Sequence, residues 1–337
     1  MTQKNKTDLT KKYEIKTPNQ LELFINRGGD EFNYSNTIGL YDIMPKYQFG
    51  NHKREKSENG KFESLPILER DFVYQKEEYT IAITPAKIKK DGVNIDYYPS
   101  QREELVEDVL KKLVCEGYGK FYNDEVGVMF SIYQIWRELQ KNNHGYNPTE
   151  IKEALQICSG TIIEVKKGGK GISRRGAIFT DLIINEKTND DTYCFVRFNP
   201  LVTRAIIEKN FKKIHFYRCM SFKTMLARWL YKRMSHLYSA SKSAPYSILL
   251  STIIRDSGMT TYKNMSDTIK KVQTCLNEMQ KKDLIESYTT EPVKDIRNKR
   301  KFSDCKFTLI AGKNLLSDSF QQSLQQKKIE ILGNKSE

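Results

Sequence analysis

Five cations fall within eight residues at Lys294, Arg297, Lys299, Arg300 and Lys301. A cluster that dense repels itself in isolation and suits a phosphate backbone, whose charges it neutralises. Just upstream, residues 266–282 place Ile269, Val272, Leu276 and Met279 on one stripe of a helix. At 100° per residue, that leaves Lys270, Lys271, Thr274, Asn277 and Lys281 facing outward, with Lys263 shortly before. Ammonium, hydroxyl and amide groups together suit phosphates and base edges. A second basic loop holds Lys166, Lys167, Lys170, Arg174 and Arg175 among Gly168, Gly169, Gly171 and Gly176. The helix before it presents Thr149, Lys152, Glu153 and Gln156, a near-neutral face. This earlier site reads as a weaker contact in which Arg174 and Arg175 position phosphates, or as a protein–protein surface.

Other chemistries are missing. The four histidines (52, 144, 215 and 236) form no His-x-His pair, and the chain has no Gly-x-x-x-x-Gly-Lys-Ser/Thr loop and no His-Glu-x-x-His. The six cysteines are widely spaced without a Cys-x-x-Cys pair, so each reads as a single thiol in a reducing compartment. No catalytic, metal or cofactor constellation emerges, and a binding protein without enzymatic activity is expected. No apolar run approaches the roughly 18–20 residues of a membrane span. A cytoplasmic protein with no membrane partner is therefore expected.

The charge is unevenly placed. The 337 residues carry a formal net charge of +14, with 29% charged and 38% hydrophobic residues. Residues 1–200 hold 30 Lys+Arg and 30 Asp+Glu, whereas residues 201–337 hold 26 and 12, so the whole excess lies in the second part. That points to one dedicated polyanion-binding half.

The elements that must carry these residues recur in one order. Ser100 and Glu103 form a capping box before Leu105, Val106, Val109, Leu110, Leu113 and Val114 at helical spacing. A strand pair is expected around 120–130, then a helix over 132–140. Asn147-Pro148-Thr149-Glu150 starts the next helix, and strands follow at 161–165, 177–184 and 193–198. After a linking helix from Asn199-Pro200, helices are expected at 220–238, 247–257 and 266–282, then strands at 284–289 and 302–310. Helix, helix, turn, helix, two-stranded wing thus occurs twice, over about 100–190 and 217–312. This is the order of a winged helix-turn-helix. The expected fold is α+β, with two tandem winged helix-turn-helix domains. The expected divisions are a mostly flexible N-terminal region at 1–60, a first domain at 61–198, a second and main DNA-binding domain at 199–312, and a C-terminal tail at 313–337.

Two segments carry a resemblance. Tyr98-Pro99-Ser100-Gln101-Arg102-Glu103-Glu104-Leu105-Val106-Glu107 and Ser221-Phe222-Lys223-Thr224-Met225-Leu226-Ala227-Arg228-Trp229-Leu230-Tyr231 resemble the opening helices of the two domains in replication initiator (Rep) proteins of iteron-type plasmids. The likeness covers about residues 60–312 and rests on architecture more than on a short motif. It implies that the second domain binds directly repeated double-stranded origin sites, while the first mediates homodimers and auxiliary DNA contacts. It also implies opening of an AT-rich region and recruitment of host initiator or helicase proteins without an ATPase. Separately, Gln20-Leu21-Glu22-Leu23-Phe24 is similar to the Gln-Leu-x-Leu-Phe peptide that docks on the bacterial sliding clamp. In that reading Gln20, Leu21, Leu23 and Phe24 are the partner-binding residues. A winged-helix transcriptional repressor, a DNA-processing enzyme and a partition or assembly protein remain as rivals.

Overall fold

Caps and stops place the helices. The Ser131 side chain accepts the Gln134 N–H and Gln134 returns a bond to the Ser131 N–H; Asn147 and Glu150 do the same. Glu103 accepts the Ser100 N–H at 2.8 Å. The computed structural model describes residues 19–25, 32–50, 64–90, 92–168, 173–185, 193–238, 244–294 and 302–333.

In chain order the elements begin with α1 (Asn19–Phe24), β1 (Tyr34–Ile38), α2 (Gly39–Ile43), β2 (Leu68–Tyr74), β3 (Glu77–Thr84), β4 (Ala86–Lys90) and β5 (Val93–Tyr97). Next come α3 (Gln101–Leu113), β6 (Gly119–Tyr122), β7 (Glu125–Phe130), α4 (Ile132–Lys141), α5 (Pro148–Gly160), β8 (Ile162–Lys167), β9 (Arg174–Ala177), β10 (Phe179–Ile183) and β11 (Cys194–Phe198). Then α6 (Pro200–Ile207), β12 (Phe211–His215) and α7 (Phe216–Met220) lead to α8 (Met225–Leu237), β13 (Tyr246–Leu249), α9 (Leu250–Ser257), α10 (Met265–Lys281), β14 (Ile285–Lys294), β15 (Phe302–Ala311) and α11 (Lys313–Gly333). The fold is α+β, with small antiparallel sheets and two winged helix-turn-helix units.

In the second unit α8, α9 and α10 pack on a three-stranded sheet ordered β13-β15-β14. Phe222, Leu226, Leu230, Ile253, Val272, Leu276, Phe307 and Leu309 fill its core. Three details differ from the periodicity. The helix expected over 220–238 starts only at Met225, because Thr224 caps α8 and Glu278 of α10 accepts the Lys223 N–H at 2.7 Å. The segment expected as a helix over 247–257 opens as β13. Finally, β14 runs past its expected end to Lys294, since an edge strand tolerates Pro292.

In the first unit α3, α4 and α5 enclose Leu105, Val109, Leu110, Ile135, Leu139, Ile151 and Leu155 with Phe130, Val196 and Phe198. Its wing is not a free two-stranded ribbon. β8 pairs with β9 and also with β3, giving a four-stranded sheet ordered β2-β3-β8-β9. β10, in the segment expected as the wing's second strand, instead joins β11, β7 and β6 in another sheet.

The N-terminal region corrects the expectation of a mostly flexible segment with an open docking peptide. β1 pairs along its whole length with β12, from Tyr34 opposite His215 to Ile38 opposite Phe211. Leu21 and Phe24 are 0% and 1% exposed. The Phe24 ring meets Phe211 edge-on at 4.9 Å, and the Asn36 amide donates to the Phe24 carbonyl at 2.7 Å. Gln20 lies in the same helix, and Leu23 packs half-buried against the core. Two of the four side chains the docking peptide would offer, Leu21 and Phe24, are thus buried in the fold. Residues 1–18 and 51–63 lie outside the described residues. At the other end, the expected tail contains the 21-residue helix α11, which packs on β12.

Candidate nucleic-acid interface

The reading helix of the second unit is positioned from both ends. Gly258 ends α9 with φ of 70°, and a Cβ there would stand 2.7 Å from the Arg70 guanidinium and 3.0 Å from Pro45. After this turn Met259 is buried, and the Thr268 hydroxyl accepts the Tyr262 N–H at 3.0 Å, tying the turn to α10. Thr268, Val272, Cys275, Leu276 and Met279 form the buried side of α10. Ile269, expected inward, is half-buried.

The opposite side collects most of the expected DNA-binding residues. Lys263, Lys270, Thr274, Asn277 and Lys281 are all exposed. Their states differ. Lys270 faces Asp267 at 3.6 Å, an exposed pair that competes weakly with a phosphate. Thr274 donates its hydroxyl to the Lys270 carbonyl at 2.9 Å, leaving its oxygen as an acceptor. Lys271 is half-buried and leans back on the turn: its ammonium lies 3.4 Å from both Thr260 oxygens and 5.4 Å from the centre of the Tyr262 ring. Partial burial lowers its pKa.

Asn277 is oriented from the wing. The Tyr288 hydroxyl on β14 donates to Asn277 Oδ1 at 2.8 Å, so the amide NH2 is left to face a partner as a donor. No periodicity argument points to Tyr288; only the strand pairing brings it over α10. Lys294 stands exposed at the end of β14. Arg297, Lys299, Arg300 and Lys301 lie outside the described residues.

The first unit is more basic than its helix face suggests. Glu153, which made that face near-neutral, receives the Arg102 guanidinium at 2.8 Å and an ion pair from Lys90 on β4. Its carboxyl is held below the usual range despite partial burial, by hydrogen bonds from Lys90 and Arg102. Lys87 and Lys89 of the same β4–β5 hairpin are exposed, and α5 packs on β4. Sequence reading missed this hairpin, because its three lysines gain meaning only once β4 lies beside α5. Arg174 and Arg175 are exposed on β9, Lys166 and Lys167 sit at the end of β8, and Lys170 lies outside the described residues.

The two units are locked by buried ions. The Arg228 guanidinium of α8 donates to Glu104 Oε2 of α3 at 2.8 and 3.0 Å and to the Phe222 carbonyl at 2.7 Å. Lys232 reaches Asp108 at 2.6 Å and Glu104 at 3.3 Å. Burial opposes the Lys232 charge, but Asp108 and Glu104 more than offset it and hold its pKa well above normal. Lys111 joins Asp108 to Asp42, and Lys46 bonds to Glu107 at 3.0 Å. Burial opposes the Asp42 charge as well, yet Lys111 and Lys46 keep its carboxyl far below the usual carboxylate range. Four cations and four carboxylates thus balance in the seam between the units.

Among the described residues no group of His, Cys, Asp and Glu could hold a metal ion, and no helix is long and apolar enough to cross a membrane. All six cysteines are buried free thiols. No protein-family model and no curated protein matches the chain. Among solved structures, the chain is similar to domains 2 and 3 of RctB in a selenomethionine crystal structure, at 10% identity and a TM-score of 0.49, covering 81% of this chain and 96% of that one. It is also similar to the Pi initiator protein in complex with iteron DNA, at 12% identity and a TM-score of 0.44, covering 63% of this chain and 91% of that one.

Proposed function

We propose that this chain is a replication initiator of plasmid or mobile-element type, which binds repeated double-stranded origin sites through its second winged-helix unit. The observation that carries the DNA-binding part is the row Lys270, Thr274, Asn277 and Lys281 on a helix whose other side is the core, with Lys263 exposed just before its N-terminus. The net positive charge confined to residues 201–337 supports it. In this reading Asn277, Thr274 and Lys271 meet base edges or the turn that presents them, and the remaining cations hold phosphates. Arg174 and Arg175, with Lys87 and Lys89, add a second phosphate contact from the first unit, whose surface is also the proposed site of self-association. The ionic seam supports a fixed spacing between the two contacts. The initiator role, with its host replication partners, rests on the segments 98–107 and 221–231 and on the tandem arrangement. The burial of Leu21 and Phe24 removes the sliding clamp from this proposal.

The test is a footprint on DNA flanking the gene. Protection of several direct repeats, with permanganate-reactive thymines in an adjoining AT-rich stretch, is the expected result. Protection of one inverted repeat over a promoter, without opening, would make the chain a repressor. Equal affinity for flanking and random DNA would overturn both readings.

A further inference from the structure

The hydrogen bond that holds Asn277 decides which end of its amide can meet DNA. An unrestrained asparagine offers a carbonyl oxygen and an NH2 group side by side, and that pair matches N6 and N7 of adenine. Asn277 is restrained. Its Oδ1 accepts the Tyr288 hydroxyl at 2.8 Å. Tyr288 is rooted in the wing, half-buried against the second core and opposite Leu309 in the β14–β15 ladder. Burial raises its pKa, so the hydroxyl keeps its proton and stays a donor. One turn further along α10, the Gln280 amide donates to the Glu286 carbonyl at 2.9 Å, which ties the same stretch of helix to the same strand. With helix and strand fixed together and the oxygen turned to the wing, the NH2 group is the end of Asn277 left for a partner. Asn277 is exposed, and Lys270, Thr274 and Lys281 are exposed on the same face.

We infer that Asn277 selects guanine in the major groove, and that Tyr288 is the positioning residue that turns it away from adenine. The inference rests on the DNA-binding role proposed above for α10. Base edges differ in what they offer to a lone donor. Guanine presents two acceptors, N7 and O6, so an NH2 group finds a partner at either. Thymine presents one acceptor, O4, beside its methyl group. Adenine presents N7 next to its own N6 donor, which would face the Asn277 donor and go without an acceptor. Cytosine presents only a donor, N4. The order is therefore guanine, thymine, adenine, cytosine, with guanine in the place an unrestrained asparagine gives to adenine. Tyr288 need not touch DNA; it acts through the oxygen it occupies.

Selection of binding sites from a random duplex library tests it, with the full chain as wild type, Asn277→Ala and Tyr288→Phe. The readout is the ratio of bases at each position of the selected site, so a general loss of affinity does not enter. Asn277→Ala identifies the position, as the one whose preference it flattens. There the wild type should favour guanine over adenine by about tenfold. Tyr288→Phe keeps the ring and its packing but releases Oδ1. The adenine-to-guanine ratio should then rise by about tenfold at that position and stay within about threefold elsewhere. The inference is overturned by any base other than guanine as the wild-type choice at that position, adenine or cytosine meaning that the amide presents its oxygen. It is overturned equally by a ratio unchanged in Tyr288→Phe, by a shift spread alike over all positions, which marks a merely structural role, or by a selected site in which Asn277→Ala flattens nothing. A wild-type chain that selects no sequence at all overturns the proposed function itself, and this inference with it.

Discussion

Replacing Arg228 with Met should loosen one winged-helix unit from the other. The guanidinium is fully buried and makes three hydrogen bonds, two of them to Glu104. Its loss leaves Glu104 with Lys232 alone, at 3.3 Å, inside a water-poor seam. Breaking such a pair from one side costs about 3–5 kcal/mol, mostly the penalty of an uncompensated charge. Replacing both partners, as Glu104→Leu/Arg228→Met, removes that penalty and should cost less than either single change, with a coupling of about 1–3 kcal/mol. The two tryptophans make the assay specific. Trp136 packs on the first core, and Trp229 lies in the second, donating its N–H to the Ile43 carbonyl at 2.9 Å. Urea unfolding followed in Trp136→Phe and Trp229→Phe backgrounds should give one shared midpoint in the parent chain. Arg228→Met should shift the midpoint by about 1–2.5 M, taking an m-value near 2–3 kcal/mol/M, and should separate the two signals. A shift under about 1 kcal/mol, or a double mutant as unstable as the sum of the singles, would refute the view that these ions hold the units together.

Changing Arg297, Lys299 and Arg300 together to Ala should weaken binding to all DNA sequences and reduce the slope of log K against log salt by about 0.9 per lost phosphate contact; an unchanged slope in an anisotropy titration removes the wing from the interface. Asn277→Ala should cost about 1–3 kcal/mol on the cognate site and far less on random DNA, and Tyr288→Phe should reproduce part of that loss by freeing the amide; equal losses on both DNAs would demote Asn277 to a phosphate contact. His236 is half-buried near Lys212, and burial first, then that neighbour, lowers its pKa from 6.5 to about 4. The unfolded chain therefore binds the proton first, so stability is full above pH 6.5 and falls by about 3 kcal/mol as pH drops to 4; denaturation curves for His236→Gln should lose most of that slope. Phe24→Ala should destabilise the chain by about 3–5 kcal/mol, as a core ring does, whereas a melting temperature equal to wild type would return the segment to the surface.

What the sequence disclosed depended on how local the determinant was. The apolar stripe of α10 repeats at helical spacing, so its outward residues could be named before any fold was known. The second wing follows from strand signals on either side of a basic loop, whereas in the first only β8 does, its partner β9 lying within the residues read as the loop. On α3, by contrast, Glu104, Glu107, Asp108, Lys111 and Lys112 lie opposite an apolar stripe and read like a solvated face, yet all five are buried. Their burial comes from α8 and from residues 41–47, more than a hundred positions away in one direction and about sixty in the other. No periodicity carries that information. β1 was hidden for a similar reason: Ser35, Asn36 and Thr37 are buried polar residues, so the strand shows no apolar alternation. The basic β4–β5 hairpin likewise escaped notice until packing set it against α5.

The β1–β12 ladder fixes an order of assembly during synthesis. The strand at Tyr34–Ile38 leaves the ribosome early but finds its partner only after His215 has been added. At about 5–20 residues per second, it must wait for roughly ten to thirty seconds. The Ile43 carbonyl waits longer still, since its donor Trp229 follows 186 positions later. Phe49 completes the second core although it precedes the first unit's hairpins. The winged-helix units therefore cannot mature one after the other as separate beads. A chain started beyond residue 50 would expose the edge of β12 and leave the Trp229 N–H without its acceptor, so exchanging either unit between proteins of this architecture requires moving the N-terminal strand with it.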